Sequence, residues 1–132
     1  MAYLLIVDDD EDFASAAAMT LRASGHEVDV LLETTDALRR MKARTPDLAI
    51  LDVMFPESSS AGFDLAREIR GAGGPVAKVP ILMLTAVNQK FPFGFAASDI
   101  DDHWMPVQDF LEKPVDIAVL CRRVEDLLAK AA

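Results

Sequence analysis

The sequence predicts an α/β protein with a doubly wound, five-stranded parallel sheet, covered by helices on both faces in three layers. Short apolar runs alternate along the chain with segments whose apolar residues recur at helical spacing. Right-handed crossovers between parallel strands leave few topologies for such an alternation. The 132 residues suit a single domain, and we expect residues 1–132 to form it.

The predicted strands are short runs of apolar residues. A strand covered by helices on both faces carries such a run, because neither of its faces meets water. The five predicted strands lie at residues 3–7, 28–32, 48–51, 80–84 and 110–111.

The predicted helices are four segments with apolar residues three or four positions apart, and Thr35 is expected to cap the second of them. The residues expected to face the core are Phe13, Ala17, Leu21, Ala37, Leu38, Met41, Phe63, Leu65, Ala66, Ile69, Val119, Val124, Leu127 and Leu128. His26 follows a glycine at a turn, where we expect it to be solvated.

One segment departs from the alternation. Between the fourth and fifth strands the pattern requires a helix, but Pro92, Gly94 and Pro106 interrupt it. We therefore expect an irregular segment at about residues 87–108 in place of a regular helix. Its three phenylalanines and the single tryptophan would form either a small core of their own or an exposed docking surface.

Composition restricts the class of partner. A net charge of −9 disfavours direct contact with DNA and with anionic membranes, since both attract lysine and arginine. One cysteine allows no disulfide within the chain and no multi-thiolate metal site. The amino terminus lacks the pattern of a signal peptide, and no apolar run reaches the length of a membrane span. These features predict a cytoplasmic protein.

Polar residues occur where four of the predicted strands end. They are Asp8, Asp9, Asp10, Asp52, Thr85 and Lys113. In an open parallel sheet the carboxyl ends of the strands share one edge, and ligands bind there. Each residue alone has an ordinary explanation, such as a helix start, a turn or a surface lysine. Their joint occurrence at successive strand ends predicts one functional cluster.

The chemistry of this cluster points to phosphate. Carboxylates held within a few ångströms of one another repel, and a hard divalent cation such as Mg²⁺ relieves that repulsion. A lysine and a hydroxyl group would add donors for a phosphoryl oxygen. An aspartate is a known nucleophile for phosphoryl groups. The pattern therefore indicates a carboxylate that accepts a phosphoryl group.

These motifs resemble the receiver domain of bacterial two-component response regulators. The matching motifs are IVDDD at residues 6–10, LDVMFP at 51–56, LTA at 84–86 and FLEKP at 110–114. The resemblance extends from residue 3 to about residue 128. It implies the flavodoxin-like receiver fold, with the five strands in the order 2-1-3-4-5, of the chemotaxis-regulator-like, single-domain type.

The resemblance also implies a role for each site residue. Asp52 would be the phosphoacceptor. Asp9, Asp52 and the backbone carbonyl of Met54 would bind Mg²⁺, or Mn²⁺ in its place, and Asp8 would act through a metal-bound water.

A second set of residues would bind the phosphoryl group. In the family's pattern Thr85 hydrogen-bonds a phosphoryl oxygen, Lys113 pairs with that group, and Phe110 rotates with Thr85 on activation. The implied function is phosphorelay signal transduction, without turnover of an external substrate. The implied partners are a sensor histidine kinase or histidine phosphotransfer protein, a downstream protein effector and a homodimer, without direct DNA binding and without a membrane.

Two departures from the family pattern leave alternatives open. The loop after Pro56 and the segment between Thr85 and Lys113 are both longer than the family pattern. One alternative is a pseudo-receiver that binds partners without taking phosphate. The other is a small phosphatase of the haloacid dehalogenase type, in which Asp8 would be the nucleophile.

Overall fold

The computed structural model describes residues 2–53, 61–86, 109–113 and 115–131. The irregular segment expected at 87–108 and the metal ligand expected at Met54 lie outside these residues. None of the described helices combines the length and the hydropathy needed to cross a membrane.

The described strands form one parallel sheet. They are β1 (Tyr3–Val7), β2 (Glu27–Leu31), β3 (Leu48–Asp52), β4 (Ile81–Ala86) and β5 (Asp109–Lys113). Their order across the sheet is β2-β1-β3-β4-β5. The predicted fold class and strand order are thereby confirmed. β4 and β5 are longer than expected, and β4 includes Thr85.

Among the described residues, four α-helices and one short 3₁₀ helix connect or follow these strands. They are α1 (Glu11–Ala23), α2 (Ala37–Ala43), α3 (Ala61–Gly71), the 3₁₀ helix (Pro75–Lys78) and α4 (Ile117–Ala131). The 3₁₀ helix was not predicted from the sequence. It begins at a proline, a residue favoured there because its fixed φ suits the first helical turn.

The sheet separates two apolar layers. Alternate residues of β1 point to opposite faces, so Leu5 and Val7 pack with α2 and α3, whereas Leu4 and Ile6 pack with α1 and α4. All five residues of β1 are buried. Burying a leucine or isoleucine stabilises a fold by about 1.5–3 kcal/mol. The two layers therefore hold the central strands from both sides, as the continuous apolar runs predicted.

Two expectations about the helices were wrong. Asp36, not Thr35, is the N-cap residue of α2, and its side chain makes no cap hydrogen bond. Val119 is 42% exposed, while Leu120 is fully buried. Leu120 lies four and seven residues before Val124 and Leu127, so the buried stripe of α4 runs through it.

His26 was expected in solvent, but its side chain is only 8% exposed. Its Nδ1 accepts a hydrogen bond from the backbone N–H of Ala2 at 3.2 Å, and its Nε2 lies 2.5 Å from a carboxylate oxygen of Glu125. The imidazole therefore joins the start of the chain to α4, at the edge of the sheet where the strands begin.

Arg70 closes the connection from α3 to β4. Its Nη1 donates to the carbonyl oxygens of Ala77 at 3.0 Å and Val79 at 2.7 Å. These carbonyls flank the end of the 3₁₀ helix, and a charged donor stabilises them more than a neutral one would.

Replacing Arg70 with methionine removes this donor and is expected to lower the free energy of unfolding by about 1–3 kcal/mol. Urea unfolding followed by circular dichroism measures the change. Arg39→Met is the control, since the side chain of Arg39 is 75% exposed and forms a surface ion pair with Asp36. An equal loss in both variants would contradict a specific role for Arg70.

Cys121 is expected to react slowly in the folded protein. Burial first, and then the nearby Glu125 carboxylate, raise the pKa of its thiol. A raised pKa leaves less thiolate at a given pH, so alkylation by iodoacetamide at pH 8 should be several-fold slower than in urea-unfolded chain. Mass spectrometry over time gives both rates, and equal rates would show that Cys121 is freely accessible.

Candidate functional site

The pairing of β1 with β3 brings the first two expected site residues together. Val7 lies opposite Leu51 in the parallel register. The next residue on each side is an aspartate, Asp8 just after β1 and Asp52 at the end of β3. Asp9 follows Asp8. Carboxylate oxygens of Asp8, Asp9 and Asp52 all lie within 4.8 Å of one another. The structure therefore brings three of the expected site residues together at the carboxyl edge of the sheet.

The three carboxylates differ in burial. Asp8 is fully buried and Asp52 is 7% exposed, whereas Asp9 is exposed. A buried carboxylate costs free energy unless it is hydrogen-bonded, paired with a positive charge or bound to a metal. The cluster thus combines two buried acids with a third that reaches solvent, which leaves a route by which an ion could enter.

Backbone hydrogen bonds fix Asp8 from both sides. Its own N–H donates to the carbonyl oxygen of Leu31 in β2 at 3.0 Å. One carboxylate oxygen, Oδ1, accepts from the backbone N–H of Asp10 at 2.9 Å. Asp8 is therefore oriented by the strand on one side and by the start of α1 on the other.

Asp10 does not join the cluster. It is the N-cap residue of α1, and its side chain accepts a hydrogen bond from the N–H of Phe13 at 3.1 Å. Glu11 and Asp12 continue the negative charge in the first turn, where the helix dipole favours it. The acidic run therefore has two functions, since Asp8 and Asp9 face Asp52 while Asp10 begins the helix.

Oxygen ligands alone make up the cluster, and this is the donor set that hard cations such as Mg²⁺ and Mn²⁺ prefer. Three carboxylates within 4.8 Å bring enough negative charge to attract such an ion. The residues present therefore fit a divalent cation of this class.

The other expected site residues lie on the next two strands. In the register of the sheet, Leu84 lies opposite Asp52, and Thr85 follows Leu84. Phe110 lies opposite Met83, and Lys113 lies opposite Ala86, in β5. The backbones of Thr85 and Lys113 therefore lie at the same edge of the sheet as that of Asp52. The side chains of Thr85, Phe110 and Lys113 are outside what the structure describes.

From the sequence, Gly62 was matched to the glycine that follows Pro56 in the family's pattern, at a longer spacing, but was given no role. Gly62 lies at the start of α3, next to the backbone of Asp52. A glycine near the start of a helix costs stability relative to alanine. This cost is the signal in the sequence that could have drawn attention to Gly62. A glycine kept in spite of such a cost often marks a place where two backbones lie close together.

The chain matches the family model described as the response regulator receiver domain over residues 4–125. A response regulator of Chloroflexus aurantiacus, described as putative, superposes with a TM-score of 0.78 at 32% identity, covering 97% of this chain and 98% of that one. The receiver domain of NtrX from Brucella abortus gives the same TM-score, 0.78, at 28% identity, with coverages of 96% and 98%.

Curated relatives are longer. The transcriptional regulatory protein AfsQ1 of Streptomyces coelicolor is 31% identical over 130 residues, which are 98% of this chain and 52% of that protein. The DNA-binding response regulator MtrA of Mycobacterium tuberculosis is 39% identical over 83 residues, which are 63% of this chain and 34% of MtrA. The chain spans about half the length, or less, of these relatives.

The expectation that such a protein has no direct contact with DNA is wrong, because MtrA is itself a DNA-binding response regulator. The net charge of −9 misled the prediction, because it describes only the segment that matches and not the rest of the relatives. The fold, the acidic cluster at the carboxyl edge and the family match over residues 4–125 agree, and this chain belongs to the response regulator receiver domain family.

Proposed function

We propose that this chain is a phosphorylation switch in two-component signal transduction, in which Asp52 accepts a phosphoryl group from a phosphohistidine. The observation that carries the proposal is the placement of Asp52. Its carboxylate is nearly buried at the end of β3, within 4.8 Å of those of Asp8 and Asp9. A carboxylate at that position is oriented and largely shielded from water, as a nucleophile for phosphoryl transfer needs to be.

The transfer exchanges one bond for another. A carboxylate oxygen of Asp52 forms a bond to phosphorus, and the bond between phosphorus and the imidazole nitrogen of the donor breaks. The imidazole leaves with the electron pair and becomes neutral after protonation. The product is an aspartyl phosphate, an acyl phosphate that stays covalently attached and changes the charge at Asp52.

Mg²⁺, with Mn²⁺ as a substitute, would neutralise charge on the phosphoryl oxygens when bound. Asp9 and Asp52 are proposed as direct ligands, joined by the carbonyl of Met54. Asp8 is proposed to act through a water. Its Oδ1 already accepts a hydrogen bond from Asp10 N–H, which supports the indirect role.

Residues from β4 and β5 complete the proposal. Thr85 would donate its hydroxyl to a phosphoryl oxygen, and Lys113 would pair with the phosphoryl charge. Thr85 belongs to β4 and Lys113 to β5, and these adjacent strands end at the edge of the sheet where Asp52 lies. Phe110 would change its position together with Thr85, so that phosphorylation alters a surface that a partner reads. In relatives named as transcriptional regulators, such a change would be passed to the remainder of the protein.

Incubation with acetyl phosphate and Mg²⁺ should add one phosphoryl group to the wild-type protein and none to Asp52→Asn, as read by intact mass. Asp12→Asn is the control, since Asp12 is an exposed acid in the first turn of α1. It should be labelled like the wild type.

Two results would contradict this proposal in different ways. Labelling that persists in Asp52→Asn and disappears in Asp8→Asn would favour the phosphatase of the haloacid dehalogenase type. Absence of labelling with every donor, phosphohistidine included, would favour the pseudo-receiver.

The affinity for Mg²⁺ should depend on Asp9 much more than on its neighbour Asp10. Asp9→Asn removes a ligand and is expected to weaken binding by at least about tenfold in calorimetric titration. Asp10→Asn removes a charge one residue away but keeps an N-cap side chain, so its affinity should change little. The titration is made at 0.15 M salt, where charges beyond about 8 Å are screened. Equal losses would mean that the ion responds to general negative charge and not to Asp9 as a ligand.

A further inference from the structure

The start of α3 lies directly against the peptide bond that follows Asp52. A Cβ atom added to Gly62 would lie 2.0 Å from the carbonyl oxygen of Asp52, 2.8 Å from Cα of Val53 and 2.9 Å from the carbonyl carbon of Asp52. Real Cβ atoms essentially never approach other atoms within 3.0 Å. All three neighbours are backbone atoms, so no side chain can rotate away to make room.

Hydrogen bonds hold this peptide on both sides. The N–H of Val53 donates to the carbonyl oxygen of Leu84 in β4 at 3.0 Å. The carbonyl oxygen of Val53 accepts from the N–H of Gly62 at 3.0 Å. The backbone just after Asp52 is therefore fixed between a strand and a helix, and Gly62 supplies the contact from the helix.

The helix itself cannot retreat without losing core contacts. Phe63 and Leu65 are each 2% exposed, and Ala66 is fully buried. All three pack in the same apolar layer as Val53. A methyl group at position 62 would therefore push against a strand end that is hydrogen-bonded and a helix that is packed.

The other end of α3 provides the contrast. Gly71 is the last residue of the helix. Apart from its chain neighbours and its own helix backbone, no atom of the described residues lies within 4 Å of the place where its Cβ would be. Close packing therefore excludes a side chain at position 62, next to Asp52, but not at position 71.

We infer that Gly62 is a positioning residue for the phosphoacceptor. Because it has no side chain, α3 rests on the Asp52–Val53 peptide and holds the Asp52 carboxylate against those of Asp8 and Asp9. The inference rests on the proposed role of Asp52, and it assigns to the start of α3 a part in setting the geometry of the acidic cluster.

A methyl group at this position requires a displacement. Moving the Cβ from 2.0 Å to an ordinary contact distance of 3.4 Å shifts the strand end or the helix by roughly 1.4 Å. A misplacement of about 1 Å can lower a reaction rate about 100-fold. Gly62→Ala is therefore expected to reduce the rate of phosphorylation by acetyl phosphate by about 10- to 100-fold, and to weaken Mg²⁺ binding severalfold.

The experiment measures both quantities per folded molecule, with the folded fraction taken from circular dichroism. Gly71→Ala is the matched glycine control in the same helix and should behave like the wild type. Ile69→Val is the stability control. Ile69 is fully buried in the same helix, so the variant loosens packing without adding an atom near Asp52. It should unfold at lower urea concentration yet keep the wild-type rate and Mg²⁺ affinity.

The outcomes separate the inference from the function on which it rests. A Gly62→Ala protein with the wild-type rate and Mg²⁺ affinity would overturn the positioning role and leave the phosphorylation switch intact. A wild-type protein that takes no phosphoryl group would overturn the switch, and the Mg²⁺ affinities would still decide the role of Gly62.

A measurement on the wild-type protein covers the case in which Gly62→Ala does not fold. Backbone amide resonances are followed by NMR during titration with Mg²⁺. The resonances of Gly62 and Val53 should move with one apparent dissociation constant, because the N–H of Gly62 bonds to Val53. Gly71 should not move. An unperturbed Gly62 resonance at saturating Mg²⁺ would overturn the inference.

Discussion

The hydrogen-bonded pairing of β1 with β3 is the constraint on which the site depends, because its carboxylates come from two strands far apart in sequence. Val7 opposite Leu51 sets the register, and Asp8 and Asp52 follow at the shared edge. A parallel pair brings both carboxyl ends to the same side, as an antiparallel pair would not. The apolar layers on both faces of the sheet hold this pairing against the mutual repulsion of the acids.

A site for phosphoryl transfer needs fixed geometry more than reactive side chains, because positioning and charge neutralisation supply most of the catalysis. Backbone contacts fix the geometry of the acidic cluster, which is what the proposed phosphoryl transfer to Asp52 requires. β2 and the start of α1 orient Asp8, while β4 and Gly62 hold the peptide after Asp52. Asp8 and Asp52 are thus attached to strands whose residues are all buried.

The negative charge of the chain and the DNA-binding relatives are compatible once the extent of the match is considered. MtrA is matched over only 34% of its length, so the acidic receiver segment does not describe the surface of the whole protein. A receiver that stores a phosphoryl group needs a cation and a donor, and neither requires a basic surface. The net charge of a segment describes the surface of that segment and not the surface of the rest of a longer protein.

The sequence by itself determined the alternation of strands and helices and the position of Asp8, Asp9 and Asp52 at strand ends, because these follow from periodicities among neighbouring residues. The strand order was implied by the resemblance of the motifs to the receiver family, since periodicity alone does not specify which strands are neighbours. Contacts between distant parts of the chain decided the rest. Asp10 turned to cap α1, Leu120 replaced Val119 in the core, and His26 met Glu125, which lies 99 positions away. Only the packing of α3 against β3 revealed why Gly62 carries no side chain. A local pattern specifies which face of an element is apolar, but the partner of each atom is known only when the elements have packed.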